Sequence, residues 1–323
     1  MRLVMMGTGP FAVPTFLSLL DSGFEVPALF TRPSPPARGR GPAPPNPMRE
    51  AAEQRGVPVL APDSINAEDA QRQLAELRPD LLVVCDYGQI LKSATLAIAP
   101  FGGINLHGSL LPKYRGAAPI NWAVWNGDAE TGVTVIHMTP KLDGGPMLAI
   151  AKTPIGDNET TADLEPRLSQ LGVPLVHQSI ERLKSWDQVS PIGEIQDASL
   201  ASPAPRLKKS DGAIDWTNSA KRIRNQVRAL KPWPGTYSHW HRPAGEPLRL
   251  IVDWVSLAGE SRPNFLPGQV VSTDGKLLLI ATGEGTVSVD RVQPAGKRVL
   301  TIEEFLRGYP VRVGEKWETV REG

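Results

Sequence analysis

The first half of the chain repeats one pattern: a short apolar run, a turn, then apolar positions three and four apart. Residues 2–6 (RLVMM) read as a strand, which runs into Gly7-Thr8-Gly9-Pro10-Phe11-Ala12 and a helical stretch to Leu20. Pro10 suits the first turn of that helix. Val26 to Phe30 is a second strand, ending in Thr31-Arg32. Met48 to Gly56 is helical, Pro58 to Leu60 starts a short strand, and Ala67 to Leu77 is a helix. Asp80 to Asp86 (DLLVVCD) encloses a continuous apolar run, the pattern of a strand buried on both faces. Gly103 to His107 alternates with period two, so Asn105 and His107 share one side of a strand that Gly108 then breaks.

Residues 117–126 are apolar and helical. Gly132 to Met138 and Met147 to Pro154 are strands joined by a polar turn, Thr139 to Gly145, which holds Asp143. A helix follows through Leu164, Leu168, Leu171, Val176, Ile180 and Leu183. This succession predicts an α/β domain over residues 1–185, an open, doubly wound, mainly parallel Rossmann-like sheet with right-handed crossovers. In such sheets ligands bind beyond the carboxyl ends of the strands.

Residues 186–205 lose apolar periodicity and gain Ser, Pro and Gln, which predicts a linker. Over 206–323 the rhythm changes. Ala220, Ile223, Val227 and Leu230 make one face of a helix, with Lys221, Arg222, Arg224 and Arg228 forming a basic surface elsewhere on it. Short alternating runs follow at Leu248 to Trp254, Gly268 to Thr273, Leu277 to Thr282 and Thr286 to Val292. Strands of this length and spacing predict a small β-barrel.

Composition narrows the class. The chain has 323 residues, 41% hydrophobic and 21% charged, an ordinary globular balance. No apolar run is long enough to span a bilayer, and the start carries no signal-peptide pattern, so a cytoplasmic location is expected. The single cysteine, Cys85, excludes an intramolecular disulfide framework and reads as a buried thiol. Net charge is +1, but the halves differ. Residues 1–205 hold 16 basic and 21 acidic residues, and residues 206–323 hold 19 and 13. A basic second half is the footprint of a polyanionic partner. Thirty-two prolines are many, and they cluster in 31–47 (TRPSPPARGRGPAPPNP), which reads as a long basic loop.

The Gly7 to Ala12 turn matches a Gly-x-Gly-x-x-Ala dinucleotide fingerprint, but the acidic residue that should hold a ribose is missing from the end of the second strand. A metal held by His107, His137 and Asp143 can be drawn, yet five histidines and one cysteine make a poor donor supply, and no metal is expected. The chain has no Gly-x-Ser-x-Gly elbow, no P-loop and no His-Glu-x-x-His. Asn105, His107 and Asp143 are the candidate polar set. Without a nucleophile or metal they suit attack by a substrate amine on an activated carbonyl, helped by hydrogen bonding and proton transfer.

NLHGSLLPKYRGAAP followed by LDGGPML resembles the folate-dependent formyltransferases. RLKKSDGAIDW, RALKPWPGT and VQPAGKR resemble the carboxyl domain of the members that act on tRNA. The resemblance implies catalysis by Asn105, His107 and Asp143, with 10-formyltetrahydrofolate as formyl donor. It implies a folate site made by Ser109, Leu110, Leu111 and Pro112 with Tyr87 and Ile90. It implies an OB-like carboxyl domain over 206–323 that helps hold charged initiator tRNA through Arg206, Lys208 and Lys209, with Arg38 and Arg40 reaching the acceptor stem. A monomer is expected. Three positions depart from the family pattern: Gly9-Pro10 in the first turn, Asp86 before Tyr87-Gly88, and Pro146 after Gly145. The rival readings are formylation of a sugar-nucleotide amine, a nicotinamide oxidoreductase and a non-catalytic RNA-binding protein.

Overall fold

Continuous apolar runs become the centre of a sheet because both of their faces are covered. A computed structural model describes residues 1–34, 44–243, 245–260 and 262–318. Arg38 and Arg40 lie outside the described residues. The chain divides into two units, Met1–Ile120 with Glu130–Pro154 and Asp163–Pro205, and Asn121–Ala129 with Ile155–Ala162 and Arg206–Gly323.

The first unit is built on β1 (Leu3–Met6), α1 (Val13–Asp21), β2 (Leu29–Phe30), α2 (Pro47–Gln54), β3 (Val59–Leu60), α3 (Glu68–Glu76), β4 (Leu81–Val84), α4 (Ser93–Leu96) and β5 (Gly103–His107). Then come β6 (Arg115–Gly116), β7 (Glu130–His137), β8 (Met147–Pro154), α6 (Thr161–Lys184, whose first two residues fall in the second unit) and β9 (Pro203–Ala204), while α5 (Pro119–Asn126), between β6 and β7, falls mostly in the second unit. The sheet order is β3-β2-β1-β4-β5-β7-β8. Strands β1 to β5 are parallel, as the alternation of strand and helix predicts. Strands β7 and β8 are antiparallel additions, with Asn105 opposite Ile136. Every residue of β1 and β4 is buried, the signature of a strand covered on both faces. Val4, Met6, Phe30, Leu82 and Val84 pack together with Leu74 of α3.

The dinucleotide-like turn has a protein-internal explanation. A Cβ on Gly7 would sit 2.9 Å from the Cys85 carbonyl oxygen. One on Gly9 would meet the Asp86 carboxylate, which accepts a hydrogen bond from the Gly9 N–H. The turn already faces an anion, so it presents poor ground for a pyrophosphate.

The second unit contains α7 (Ala220–Ala229), β10 (Tyr237–His241), β11 (Leu248–Leu257), β12 (Val270–Thr273), β13 (Leu278–Ala281), β14 (Thr286–Pro294), β15 (Leu300–Thr301), α8 (Ile302–Gly308) and β16 (Lys316–Glu318). Its antiparallel order is β12-β13-β14-β11-β10-β16, with β15 on β14. A bridge between Gln269 and Lys316, and a hydrogen bond from Val270 N–H to Glu315 O (2.9 Å), join the two ends of that order. The sheet is thus a nearly closed barrel, which covers edges that would otherwise be free to pair. Ile223 and Val227 of α7, Val252 and Val255 of β11, Phe305 of α8 and Trp317 of β16 share its core.

The apolar face predicted for α7 is buried throughout, and Ser219 caps the helix by accepting from the Arg222 N–H at 3.2 Å. The predicted basic surface needs one correction. Arg228 is only 5% exposed. Its Nη1 donates to the Gly156 and Glu159 carbonyls (both 3.1 Å), and its Nε donates to Asn225 Oδ1 (3.0 Å). Helical periodicity places Arg228 off the apolar face, but it cannot tell solvent from the segment Ile155–Ala162, which covers it.

Candidate active site

Asn105 and His107 leave the same side of β5, two residues apart, and one carboxylate meets both. Asp143 arrives from the turn between β7 and β8. Its Oδ1 lies 3.5 Å from Asn105 Nδ2, and its Oδ2 lies 3.8 Å from His107 Nδ1. Asp143 sits at φ +47°, the left-handed region that aspartate tolerates better than most residues. Such a backbone persists only where the surroundings hold it.

Two partners that supply only backbone groups fix this cluster. The imidazole Nε2 of His107 donates to the Tyr114 carbonyl oxygen at 2.9 Å. A carbonyl can only accept, so Nε2 keeps its proton and Nδ1 is the nitrogen free for chemistry. The contact that orients the ring is therefore the Tyr114 carbonyl, with Asp143 facing the opposite nitrogen. The second partner is the N–H of Gly116 in β6, which donates to Asp143 Oδ2 at 2.9 Å. Gly116 has φ +130°, and a Cβ there would meet the Ala204 carbonyl of β9, so glycine is required. Neither Tyr114 nor Gly116 acts here through a side chain. The sequence signal for them is no more than a glycine in RGAAP and a position seven residues after the histidine.

The residues expected at the folate site lie in different environments. Ser109 is fully buried, and its hydroxyl donates to the Lys113 carbonyl at 2.7 Å, so it braces the loop. Thr134 of β7 ties the same loop to the sheet: its Oγ1 donates to the Ser109 carbonyl (2.7 Å) and accepts from the Leu111 N–H (3.2 Å). Leu111 is buried, while Leu110 and Pro112 are half-buried. Tyr87 is 2% exposed and packs in the apolar core, with its hydroxyl unpaired among the described residues. Burial pushes that phenol up. Ile90 is 63% exposed, a large apolar side chain open to solvent just beyond the end of β4.

Asp86 also lies beyond β4, at φ +46°. Burial of its carboxyl first, then the neighbouring Glu165 carboxylate, pushes it up to about 6 against the pull of the Gly9 N–H and Arg32. Cys85 is fully buried and burial raises its thiol well above the usual range, so it is no nucleophile. His137 is committed elsewhere: its Nε2 donates to the Phe101 carbonyl (2.9 Å), and its ring meets Trp186 edge-on. Among the described residues no group of three or more His, Cys, Asp or Glu could hold a metal ion. No described helix is long and apolar enough to cross a membrane. In the second unit Arg206, Lys208 and Lys209 are exposed, and Leu207 between them is buried.

The chain matches the formyl transferase family over residues 1–180 and the formyl transferase C-terminal domain over residues 206–310. It is 46% identical over 327 aligned positions to a methionyl-tRNA formyltransferase of Rhodopirellula baltica, covering 98% of this chain and 96% of that one. It is 42% identical to the methionyl-tRNA formyltransferase of Citrifermentans bemidjiense, covering 97% and 95%. Among solved structures its fold is similar to WlaRD, a sugar 3N-formyl transferase crystallised with dTDP and 5-N-formyl-THF (TM-score 0.62, 17% identity, 92% of this chain and 99% of that one). A carboxylate that meets an amide and an imidazole at the end of β5, in a chain that aligns end to end with these enzymes, defines its place: the chain belongs to the methionyl-tRNA formyltransferase branch of the formyl transferase family.

Proposed function

We propose that this chain transfers the formyl group of 10-formyltetrahydrofolate to the α-amine of methionyl initiator tRNA. The observation that carries the reading is the meeting of Asn105 and His107 Nδ1 on the single carboxylate of Asp143. The full-length similarity to methionyl-tRNA formyltransferases supports the tRNA substrate.

The attacking α-amine has an ordinary pKa of about 7.7–8.0, so a useful fraction is neutral at working pH. Its lone pair attacks the formyl carbon, a C–N bond forms, and the carbonyl becomes an oxyanion. Donors aimed at that oxygen give the largest single benefit. Asn105 Nδ2 is one. His107 Nδ1 is the other when it carries a proton, since Nε2 is committed to Tyr114. The attacking nitrogen must then lose a proton, and folate N10 must gain one as its bond to carbon breaks. Asp143 Oδ2 and His107 Nδ1, 3.8 Å apart, form a pair able to take the first proton and return it. The separation exceeds a hydrogen bond, and catalytic contacts commonly tighten only with substrate in place. The products are N-formylmethionyl-tRNA and tetrahydrofolate.

The one-carbon donor is assigned to the wall Ser109 to Pro112 with Tyr87 and Ile90. The buried Ser109 and Tyr87 shape that wall from behind, and exposed Ile90 offers apolar area to the donor. Arg206, Lys208 and Lys209, with Arg38 and Arg40, are assigned to tRNA phosphates, and the protein acts as a monomer in the cytoplasm.

The test is transfer of labelled formyl from 10-formyltetrahydrofolate to charged initiator tRNA, with elongator tRNA and a sugar-nucleotide amine as controls. Transfer to the sugar nucleotide alone overturns the substrate assignment. Asp143→Asn should lower the single-turnover rate about 10²–10⁴-fold at saturating substrates. An unchanged rate removes Asp143 from the proton path.

A further inference from the structure

We propose that Gln196 is a positioning residue for the reaction: its side-chain amide holds the backbone of the Asp143 turn, and so sets where the Asp143 carboxylate stands. Residues 186–205 read from sequence as a spacer. Gln196 lies within it but is only 7% exposed, an uncommon place for a polar residue in a tether. Its Nε2 donates to two carbonyl oxygens of the same turn, Asp143 O at 2.8 Å and Gly145 O at 2.7 Å. Its Oε1 accepts from Arg115, from Nη2 at 2.6 Å and from Nε at 3.2 Å. Both amide protons and both acceptor positions are used, so the buried side chain has one orientation and no slack.

The connection closes a ring around the aspartate. Arg115, which grips Gln196, is the residue before Gly116, whose N–H grips the Asp143 carboxylate. The two consecutive residues of β6 thus reach Asp143 from two sides, one directly at the side chain and one through Gln196 at the main chain. The ring is anchored by β9, which pairs with β6 in parallel, Arg115 opposite Pro203 and Gly116 opposite Ala204. Ser202 adds to it, with its hydroxyl accepting from the Tyr114 N–H at 3.0 Å and its carbonyl from the Arg115 N–H at 2.8 Å.

The turn needs this hold. Asp143 has φ +47°, a strained choice for a residue with a Cβ. Gly145 is pressed so close to β7 that a Cβ would strike the His137 carbonyl. Released from Gln196, the turn can relax toward ordinary dihedrals, and the carboxylate moves relative to His107 Nδ1. A displacement near 1 Å in such an array costs on the order of 100-fold in rate.

The inference rests on the assignment of Asp143 to proton transfer, so Asp143→Asn is measured beside it. In Gln196→Glu the shape and the Arg115 contact remain, but carboxylate oxygens replace the amide that donated to two carbonyls. Single-turnover formyl transfer to charged initiator tRNA should fall about 10- to 100-fold. The KM values for tRNA and for folate should stay within about threefold, because Gln196 reaches only the turn and Arg115, neither of which is assigned to a substrate. Gln196→Met, which removes the donors without adding charge, should behave alike and stands in where the glutamate variant does not fold. A lowered thermal midpoint with kcat unchanged means that Gln196 only packs the segment, and overturns the proposal. A raised KM with kcat unchanged also overturns it. A full-rate Asp143→Asn enzyme overturns the reading of Asp143 itself. An impaired Asp143→Asn with full-rate Gln196 variants overturns the role of Gln196 alone.

Discussion

At the scale of single residues, the two aspartates at positive φ illustrate different uses of one conformation. Asp143 is held by hydrogen bonds at its carboxylate and its carbonyl. Asp86 is an exposed residue, yet its carboxyl is pushed up to about 6, first by loss of hydration and next by Glu165. Its ordinary value is 3.8. Below about pH 4 both folded and unfolded forms carry the proton and stability is unaffected. Between about pH 4 and 6 the unfolded chain releases it first, so stability falls as pH rises. Asp86→Asn removes that fall, tolerates the left-handed backbone and can still accept from the Gly9 N–H. The variant should gain stability over the parent from pH 4 to 7, by about 1 kcal/mol once solvent screening at the exposed edge is allowed for. Urea melts at the two ends of that pH range measure this, and a gain that does not grow with pH refutes it. Asn105 and His107 are legible as a pair because a strand puts alternate residues on one side. Tyr114, Gly116 and Gln196 are not, since two act through backbone atoms and the third sits in a stretch without periodicity.

At the scale of elements, long apolar registers translate into structure and short ones do not. The core face of α7 is buried at each predicted position, and DLLVVCD becomes the fully buried β4. Strands β10 and β16 are hidden from periodicity because β16 has one apolar residue, Trp317, between Lys316 and Glu318, and β10 has only Tyr237 and Trp240. Helix α8 is too short to show a period, and its capping box of Thr301 and Glu304 is its one local signal. Arg228 shows the limit of periodicity within an element whose core face is plain in the sequence. It is a buried clamp on Ile155–Ala162, and burial lowers its pKa. Arg228→Met should leave the Gly156 and Glu159 carbonyls without that donor and destabilise the chain by about 1–3 kcal/mol. Chemical denaturation reads the loss. A surface arginine would cost less than about 0.5 kcal/mol.

At the scale of the whole molecule, the proposed function assigns the two units separate tasks. The sheet of the first holds the polar cluster at the end of β5. The last segment of the second opens with the exposed Arg206, Lys208 and Lys209, ahead of the barrel strands. Neutralising a phosphate releases counterions and makes binding salt-dependent. Replacing these three residues by alanine should weaken tRNA binding and flatten its dependence on salt, by about 0.7–0.9 log units per log unit of salt for each phosphate no longer neutralised. The rate at saturating tRNA should hold. Titrations at several salt concentrations check this, and a slope equal to that of the parent removes these residues from the interface.

By itself the amino-acid sequence determined the alternation of strand and helix, the change to barrel rhythm after residue 205, and the pairing of Asn105 with His107. All of these follow from periods of two and 3.6 residues that local chemistry imposes. The motifs carried the likeness to formyltransferases. Only the tertiary structure decided that His107 Nε2 is taken by the Tyr114 carbonyl and Nδ1 turned to Asp143, that β6 and β9 pair, and that Gln196 reaches the Asp143 turn. Those contacts join residues up to 88 positions apart, as in the pairing of β6 with β9 and the hydrogen bond from Tyr114 to Ser202. They are made largely by carbonyls and N–H groups that nearly every residue possesses, so no side-chain pattern could announce them.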